Sequence, residues 1–268
     1  MFKEVNMKAI IQNQYGDEKT LESVEVSAPT ISKPNQFIVK VAYANISSGD
    51  KNINTLDQPF MIRLILKLLF GWKGPKTKIR GISGSGVVDA VGGKVSNVKV
   101  GDNINFINSM KAGVLADYLL LSSDSKFAVV DPAVNLVDAA PIAFGAMSAY
   151  HFINEHNVKE GDDVYIYGAS GSVGTYAVSL ATFLKANVTI AASQKHHEKL
   201  SEFPIFRAID YKNQNPFELS QRFDVIFDAV GKIKRSDIQH LLKPQGKFLS
   251  IKSPTKEDSQ RLSQLNEW

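Results

Sequence analysis

The sequence contains no cysteine. That absence excludes disulfides, thiolate zinc sites and cysteine nucleophiles together, and it fits an intracellular protein. Net charge is also small. The balance of 31 basic and 27 acidic side chains leaves +4, and the cations are scattered among acids. A nucleic-acid partner would need a basic stripe, so none is expected. Long apolar runs are missing as well. The most apolar stretch, Phe60 to Phe70, is too short to span a bilayer and carries Arg63 and Lys67 four apart on one helical face. A surface helix is the plainer reading of it, a membrane-surface helix the sharper one. The segment Met1 to Asn6 lacks the apolar core of a signal peptide. The five histidines, His151, His156, His196, His197 and His240, show no metal-ligand spacing with acids. Together these absences predict a soluble cytoplasmic protein with no metal, no nucleic-acid partner and no membrane partner.

What is present organises around one stretch. Val164 to Tyr167 is an apolar, β-branched run, Gly168-Ala169-Ser170-Gly171-Ser172-Val173-Gly174 follows, and an apolar helical segment runs from Thr175 to Leu184. Strand, tight glycine turn and helix, in that order, form the local geometry that a dinucleotide pyrophosphate needs. Gly171 lets the backbone approach phosphates, and Gly174 lets the helix pack close to the strand. The exposed N–H groups and positive dipole of the helix start then meet the negative charge.

The alternation continues on both sides. Asp138 to Asn154 reads as a helix with Pro141 in its first turn, and Asn187 to Ala191 as a second strand. A protein that prefers NAD ends this second strand with an acid that holds the ribose 2′-hydroxyl. Here Ala191-Ala192-Ser193-Gln194-Lys195 stands instead, a hydroxyl and an ammonium that suit a 2′-phosphate. NADPH is therefore the expected cofactor, with a solvated helix-start lysine as the alternative for Lys195. Ala208-Ile209 reads as a strand, Phe217 to Gln221 as a short helix, Phe223 to Phe227 as a strand ending in Asp228-Ala229-Val230-Gly231, Ile233 to Leu242 as a helix and Gly246 to Ile251 as a fifth strand. One more helical stretch precedes Trp268. Such a chain predicts a doubly wound parallel sheet of about five strands. Its ligands bind outside the carboxyl ends of the strands, which places Gly171, Ser193, Tyr211, Gly231 and Ser250 on one rim.

The first half reads differently. Met7 to Ile11, Phe37 to Ala44 and Ala116 to Leu121 read as strands, and Gly81 to Gly92 interleaves glycines with short β runs before Val100 to Ile104. No helix follows those glycines, so they predict a small, strongly bent, largely antiparallel sheet and not a second phosphate loop. Asp50 is the one carboxylate beside a likely cleft loop. It either caps backbone N–H groups or takes a chemical role.

The order and spacing of Met7-Lys8-Ala9-Ile10, Gly81 to Gly92, Val100-Gly101-Asp102, Gly168 to Gly174 and Phe227 to Gly231 resemble the medium-chain dehydrogenase/reductase superfamily. Within it the chain is similar to the zinc-independent, zeta-crystallin-like quinone oxidoreductases, from Met7 to about Ile251. The resemblance implies a GroES-like, mostly antiparallel β domain over 1–121, followed by a Rossmann NADP-binding domain over 122–268. It implies an NADPH-dependent reductase of quinones or α,β-unsaturated carbonyls, with the nicotinamide facing a cleft between the domains. Zinc-dependent relatives place a cysteine where this chain has Ser47 and a histidine–glutamate pair where it has Ile82-Ser83, so no catalytic zinc is implied. The threonine beside the nicotinamide falls on Ser148. The loop with an asparagine next to the nicotinamide falls on Ser47-Ser48-Gly49-Asp50, where Ser47 replaces the asparagine and Asp50 is retained. Ser47 and Asp50 are thus the catalytic candidates. Ser148, Ala169 to Gly174, Ser193, Lys195, Tyr211, Ala229, Val230, Gly231 and Ser250 are the cofactor-binding candidates. Family members also continue to a sixth strand and a return to the first domain, which this sequence does not show. The sixth strand often forms a dimer edge, so the resemblance allows a homodimer. A nucleotide-binding protein without useful turnover is the alternative reading.

Overall fold

The computed structural model describes residues 6–57, 60–108, 111–154 and 156–251. They fall into two compact units that part between Ala143 and Phe144. The helical stretch expected before Trp268 lies outside the described residues.

In the first unit, alternating apolar positions make the strands. β1 (Asn6–Gln12) and β2 (Leu21–Ser27) form an antiparallel pair. β3 (Gln36–Asn45), α1 (Ser48–Thr55), α2 (Phe60–Phe70), β4 (Ser83–Val91), β5 (Asn103–Ile107), β6 (Tyr118–Ser122), β7 (Lys126–Val129) and the one-turn α3 (Leu136–Ala139) follow. The second sheet has the order β6-β3-β4-β5-β7, antiparallel throughout. Phe37, Val39, Val88, Ile104, Phe106 and Leu119 form its buried core. The glycines of β4 have a packing reason. A Cβ on Gly86 would overlap the Lys40 carbonyl oxygen of β3. Register slips between Ile38 and Val39, and between Val41 and Tyr43, bend the same strand pair. This is the bent antiparallel sheet the glycine spacing predicts, and it is GroES-like as the resemblance implies. The sequence reading misses β2, β7 and α1.

The second unit holds α4 (Met147–Asn154), β8 (Asp163–Tyr167), α5 (Ser172–Phe183), β9 (Asn187–Ala192), α6 (His197–Leu200), β10 (Arg207–Asp210), β11 (Phe223–Asp228), α7 (Arg235–Ile238) and β12 (Leu242–Ser250). Its sheet is parallel with the order β10-β9-β8-β11-β12, a five-strand Rossmann arrangement. Both faces are apolar, so the strands read as continuous hydrophobic runs. Val164, Ile166, Val188, Ile190 and Phe227 pack with Val173, Ala177, Val178 and Ala181 of α5. Tyr165, Ala191 and Ile226 pack on the other side with Ile233, Ile238 and Leu241.

Two expected elements differ. The helix predicted over 138–154 is broken into α3, a π-helical segment at Ile142–Ala146 and α4. Pro141 lacks the N–H that a continuous ladder would use. The helix predicted over 217–221 is a turn. The Asn215 side chain accepts from the Phe217 N–H at 3.0 Å, and this local bond replaces a helical one.

At the amino ends of the central strands, Lys243 of β12 donates to Asp163 Oδ2 at 2.8 Å and Asp224 Oδ2 at 2.6 Å. Burial works against the Asp224 carboxylate, but the Lys243 ammonium and the Asp163 N–H outweigh it and hold its pKa below the ordinary value. The same two carboxylates push Lys243 up to about 12. Asp224, with its lowered folded pKa, stabilises above the unfolded carboxylate value and loses that contribution as pH falls through the folded one. Lys243 stabilises below its unfolded value and loses the contribution as pH rises towards about 12. All three side chains are a quarter to a third or more exposed. Lys243→Met is therefore expected to cost only about 1 kcal/mol at neutral pH in urea melts. The difference from wild type should close below the carboxylate range and again at strongly alkaline pH.

Candidate nucleotide site

The strand registers bring the carboxyl ends of the second sheet into one line. Tyr167 lies beside Ala191 and Asp228, Asp228 beside Ser250, and Ala192 beside Asp210. The residues just past those ends are the glycine turn, Ser193, Tyr211, Ala229-Val230-Gly231 and Ser250, which closes β12 itself. They are the rim the sequence predicts. The chain enters the sheet at β8, winds outward to β10 and crosses back to β11. The neighbours β8 and β11 therefore flank the topological switch point, where such sheets leave a crevice for a ligand.

The turn after β8 is tied down from several sides. Gly168 and Ala169 donate to the Ala191 carbonyl at 3.0 and 3.3 Å, Gly171 donates to Gly168 at 3.0 Å, and the Thr175 hydroxyl donates to Ala169 at 3.0 Å. Ala169 and Val173 are buried in the core, while Ser170 and Ser172 are half-buried. Gly174 is buried, and a Cβ there would overlap the Gly168 carbonyl oxygen. Its lack of a side chain lets α5 start hard against the strand end. Gly171 is the N-cap residue of α5, exposed and extended at φ −77°, and no side chain caps the helix. A twelve-residue helix thus begins at the rim with no side chain on its first N–H groups.

Ser193 is buried at the end of β9, and exposed Lys195 sits on the 3₁₀ turn Gln194–His196 just after it. That strand end carries a hydroxyl, an amide and an ammonium, and no acid. Tyr211 is 40% exposed, with its ring 6.1 Å from that of Tyr167. Burial, then the charge of Asp228, holds the Tyr167 phenol above its ordinary pKa. Ser148 on α4 donates its hydroxyl to the Phe144 carbonyl at 2.7 Å, one turn back.

Sequence reasoning missed Asp228. Its carboxylate is fully buried and accepts from the N–H groups of Val230 at 3.0 Å, Gly231 at 2.8 Å and Ile233 at 2.8 Å. The Ser250 hydroxyl lies 3.4 Å from it. One side chain therefore shapes the whole loop after β11. The only signal was an acid ending an apolar strand before Ala-Val-Gly.

Ser47 and Asp50 lie in the first unit. Ser47 is the N-cap of α1 and accepts from Gly49 N–H at 3.2 Å, while Asp50 Oδ2 accepts from both Ser47 N–H and Ser47 Oγ at 2.9 Å. This is a capping box. Asp50 Oδ1 is buried with no hydrogen-bond partner among the described residues. Of the two readings of Asp50, capping is the one with geometry behind it.

No family model matches the chain. Sequence relatives do. NAD(P)H oxidoreductase RTN4IP1, mitochondrial, of Bos taurus is 29% identical over 244 residues, covering 84% of this chain and 60% of that protein. The 2-methylene-furan-3-one reductase of Solanum lycopersicum is 27% identical over 238 residues, covering 84% of this chain and 58% of that protein. The chain thus spans about three fifths of the length of these curated relatives. Among solved structures, the quinone oxidoreductase from Coxiella burnetii matches with a TM-score of 0.76 at 24% identity, over 98% of this chain and 88% of that one. Sequence relatives and two-sheet fold agree: the chain is similar to oxidoreductases of the medium-chain dehydrogenase/reductase type, quinone oxidoreductases among them.

Proposed function

We propose that this protein binds NADPH on the rim of its second unit and reduces a quinone or a conjugated enone. The observation that carries the proposal is the start of α5, a helix with no side-chain cap behind exposed Gly171, at the switch point of the parallel sheet. The residues present fit the cofactor. The first N–H groups of α5 would hold the pyrophosphate, and Ser193 and Lys195 would hold the 2′-phosphate. Tyr211 and the Ala229-Val230-Gly231 loop would border the dinucleotide, Ser148 and Ser250 would supply hydroxyls, and Asp228 would keep that loop in shape. NADPH, when bound, supplies the hydride and the reducing electrons. The chain's own residues would position the reactants, and direct hydride transfer needs no protein nucleophile. Ser47, Ile82 and Ser83 offer none of the thiolate, imidazole or carboxylate ligands of a catalytic zinc, so the proposal uses no metal. Ser47 and Asp50 would act as a fixed polar turn that positions the acceptor, with the proton taken from water.

The names of the relatives support this reading: an NAD(P)H oxidoreductase, a 2-methylene-furan-3-one reductase and a quinone oxidoreductase. A second reading has one observation in its favour. Ser47 and Asp50 Oδ2 are bonded to each other in the capping box, which suits a protein that binds NADPH without turnover. Loss of nicotinamide absorbance on adding a quinone or an enone, with matching reduction of the acceptor, supports the reductase. Binding without that loss across a panel of acceptors selects the second reading. Lys195→Ala is expected to weaken NADPH about tenfold and leave NADH nearly unchanged, because only NADPH loses a charge-assisted contact. Equal weakening in the two titrations would contradict a 2′-phosphate role.

A further inference from the structure

The apolar helix α2 is the largest feature that the nucleotide site does not use. It buries none of its residues. Met61, Ile62, Ile65, Leu68 and Leu69 are 64%, 46%, 53%, 64% and 58% exposed. Their spacing of one, four, seven and eight residues puts them on one face. The opposite side, with Leu64, Leu66, Lys67 and Phe70, is the half-buried one. The helix is therefore mounted with its apolar stripe outward, the reverse of an ordinary surface helix. Trp72, 58% exposed, extends the patch just past the helix end.

From the helix onward the charges in sequence have one sign, and Asp57 is the acid that precedes them. Between Phe60 and Val88 stand Arg63, Lys67, Lys73, Lys76, Lys78 and Arg80, with no aspartate or glutamate. Arg63, Lys73, Lys76 and Lys78 are exposed. Lys76 donates to the Leu69 carbonyl at 2.9 Å, which holds one of the cations beside the apolar face, while Arg63 lies over the Phe60 ring at 5.9 Å on the helix's other side. A second copy of this chain would bring cations against cations. A single outward helix with aliphatic side chains, a tryptophan at one end and a cationic border matches an interfacial helix lying in an anionic bilayer surface.

We infer that α2 and Trp72 dock this protein on an anionic lipid bilayer, with the apolar stripe in the headgroup–acyl boundary and the cations among the headgroups. The docking is peripheral and leaves the nucleotide rim in the other unit. It departs from the expectation of no membrane partner, which rested on the run being too short to span.

The test uses the full chain and vesicles of phosphatidylcholine with and without phosphatidylserine. Flotation should carry the protein with the phosphatidylserine vesicles only, and added salt should release it. In a Trp268→Phe background, Trp72 emission should shift to the blue on binding. Replacing Lys73 or Lys76 by Gln should each weaken binding about fivefold. Ile65→Glu with Leu68→Glu should abolish it while leaving the melting curve in place, because both side chains face solvent. No binding to either vesicle, or equal binding to both, would overturn the inference. So would self-association in sedimentation that the double variant removes, since a second copy would then cover the stripe.

Discussion

Asp228→Ala is expected to destabilise the protein by about 3–5 kcal/mol, because one buried side chain satisfies three backbone donors. The carboxylate is fully buried and accepts from Val230, Gly231 and Ile233. Alanine would leave those N–H groups without that acceptor, and the Gly231 and Ile233 groups are buried away from water. Each orphaned donor costs roughly 1–3 kcal/mol, moderated by relaxation of the loop. Asp228→Asn retains one oxygen but aims an NH₂ group at donors, so it should fall between wild type and alanine. Urea unfolding of the three proteins measures this. Melting curves that superimpose would mean that the loop after β11 is held by something other than Asp228. Loss of that loop should also weaken NADPH, since the side chain of Val230 lies where a Cβ on Gly168 would come.

The second large effect separates binding from stability. Gly171→Asp should lower NADPH affinity by at least about a hundredfold while the free protein stays as stable as wild type. Gly171 is extended, exposed and at the N-cap of α5, a position that aspartate favours. Its added Cβ would sit 3.3 Å from the Gly168 carbonyl oxygen, a contact that small shifts relieve. The new carboxylate would complement the helix dipole and satisfy the uncapped N–H groups that the pyrophosphate would otherwise take. At about 4 Å from a phosphate the repulsion alone is roughly 4 kcal/mol at a surface-like effective dielectric. Gly171→Asn supplies the cap without the charge and should bind with intermediate strength. Undiminished binding by the aspartate variant would place the nucleotide elsewhere. Gly174 offers no such clean test, because any side chain there meets the Gly168 backbone.

The contrast between those two glycines shows what the sequence could and could not say. The strand–glycine–helix order was legible because each part has a local cause: a β-branched run, residues without side chains and an apolar helical period. The doubly wound sheet followed, since strands that alternate with helices leave few ways to connect. Gly174 was legible as the packing glycine, but its partner, the Gly168 carbonyl oxygen, became visible only in the fold. α1 was not legible because its residues, Ser48 to Thr55, carry no apolar stripe, and it is held by the Ser47–Asp50 capping box instead. β2 was hidden by its charges, and its stability comes from pairing with β1. Asp228 looked like a strand-ending acid, and its role depends on a loop that folds back over it. The outward stripe of α2 was legible as a helix, but its direction was set by the unit it sits on.

The measurement that tests the central claim most directly is an equilibrium titration of the purified protein with NADPH, followed by nicotinamide fluorescence, with Gly171→Asp alongside. Wild type should give a saturable signal, weaker for NADH, and the variant little or none although its melting curve is unchanged. Absence of binding by wild type, or identical binding by both proteins, would contradict it.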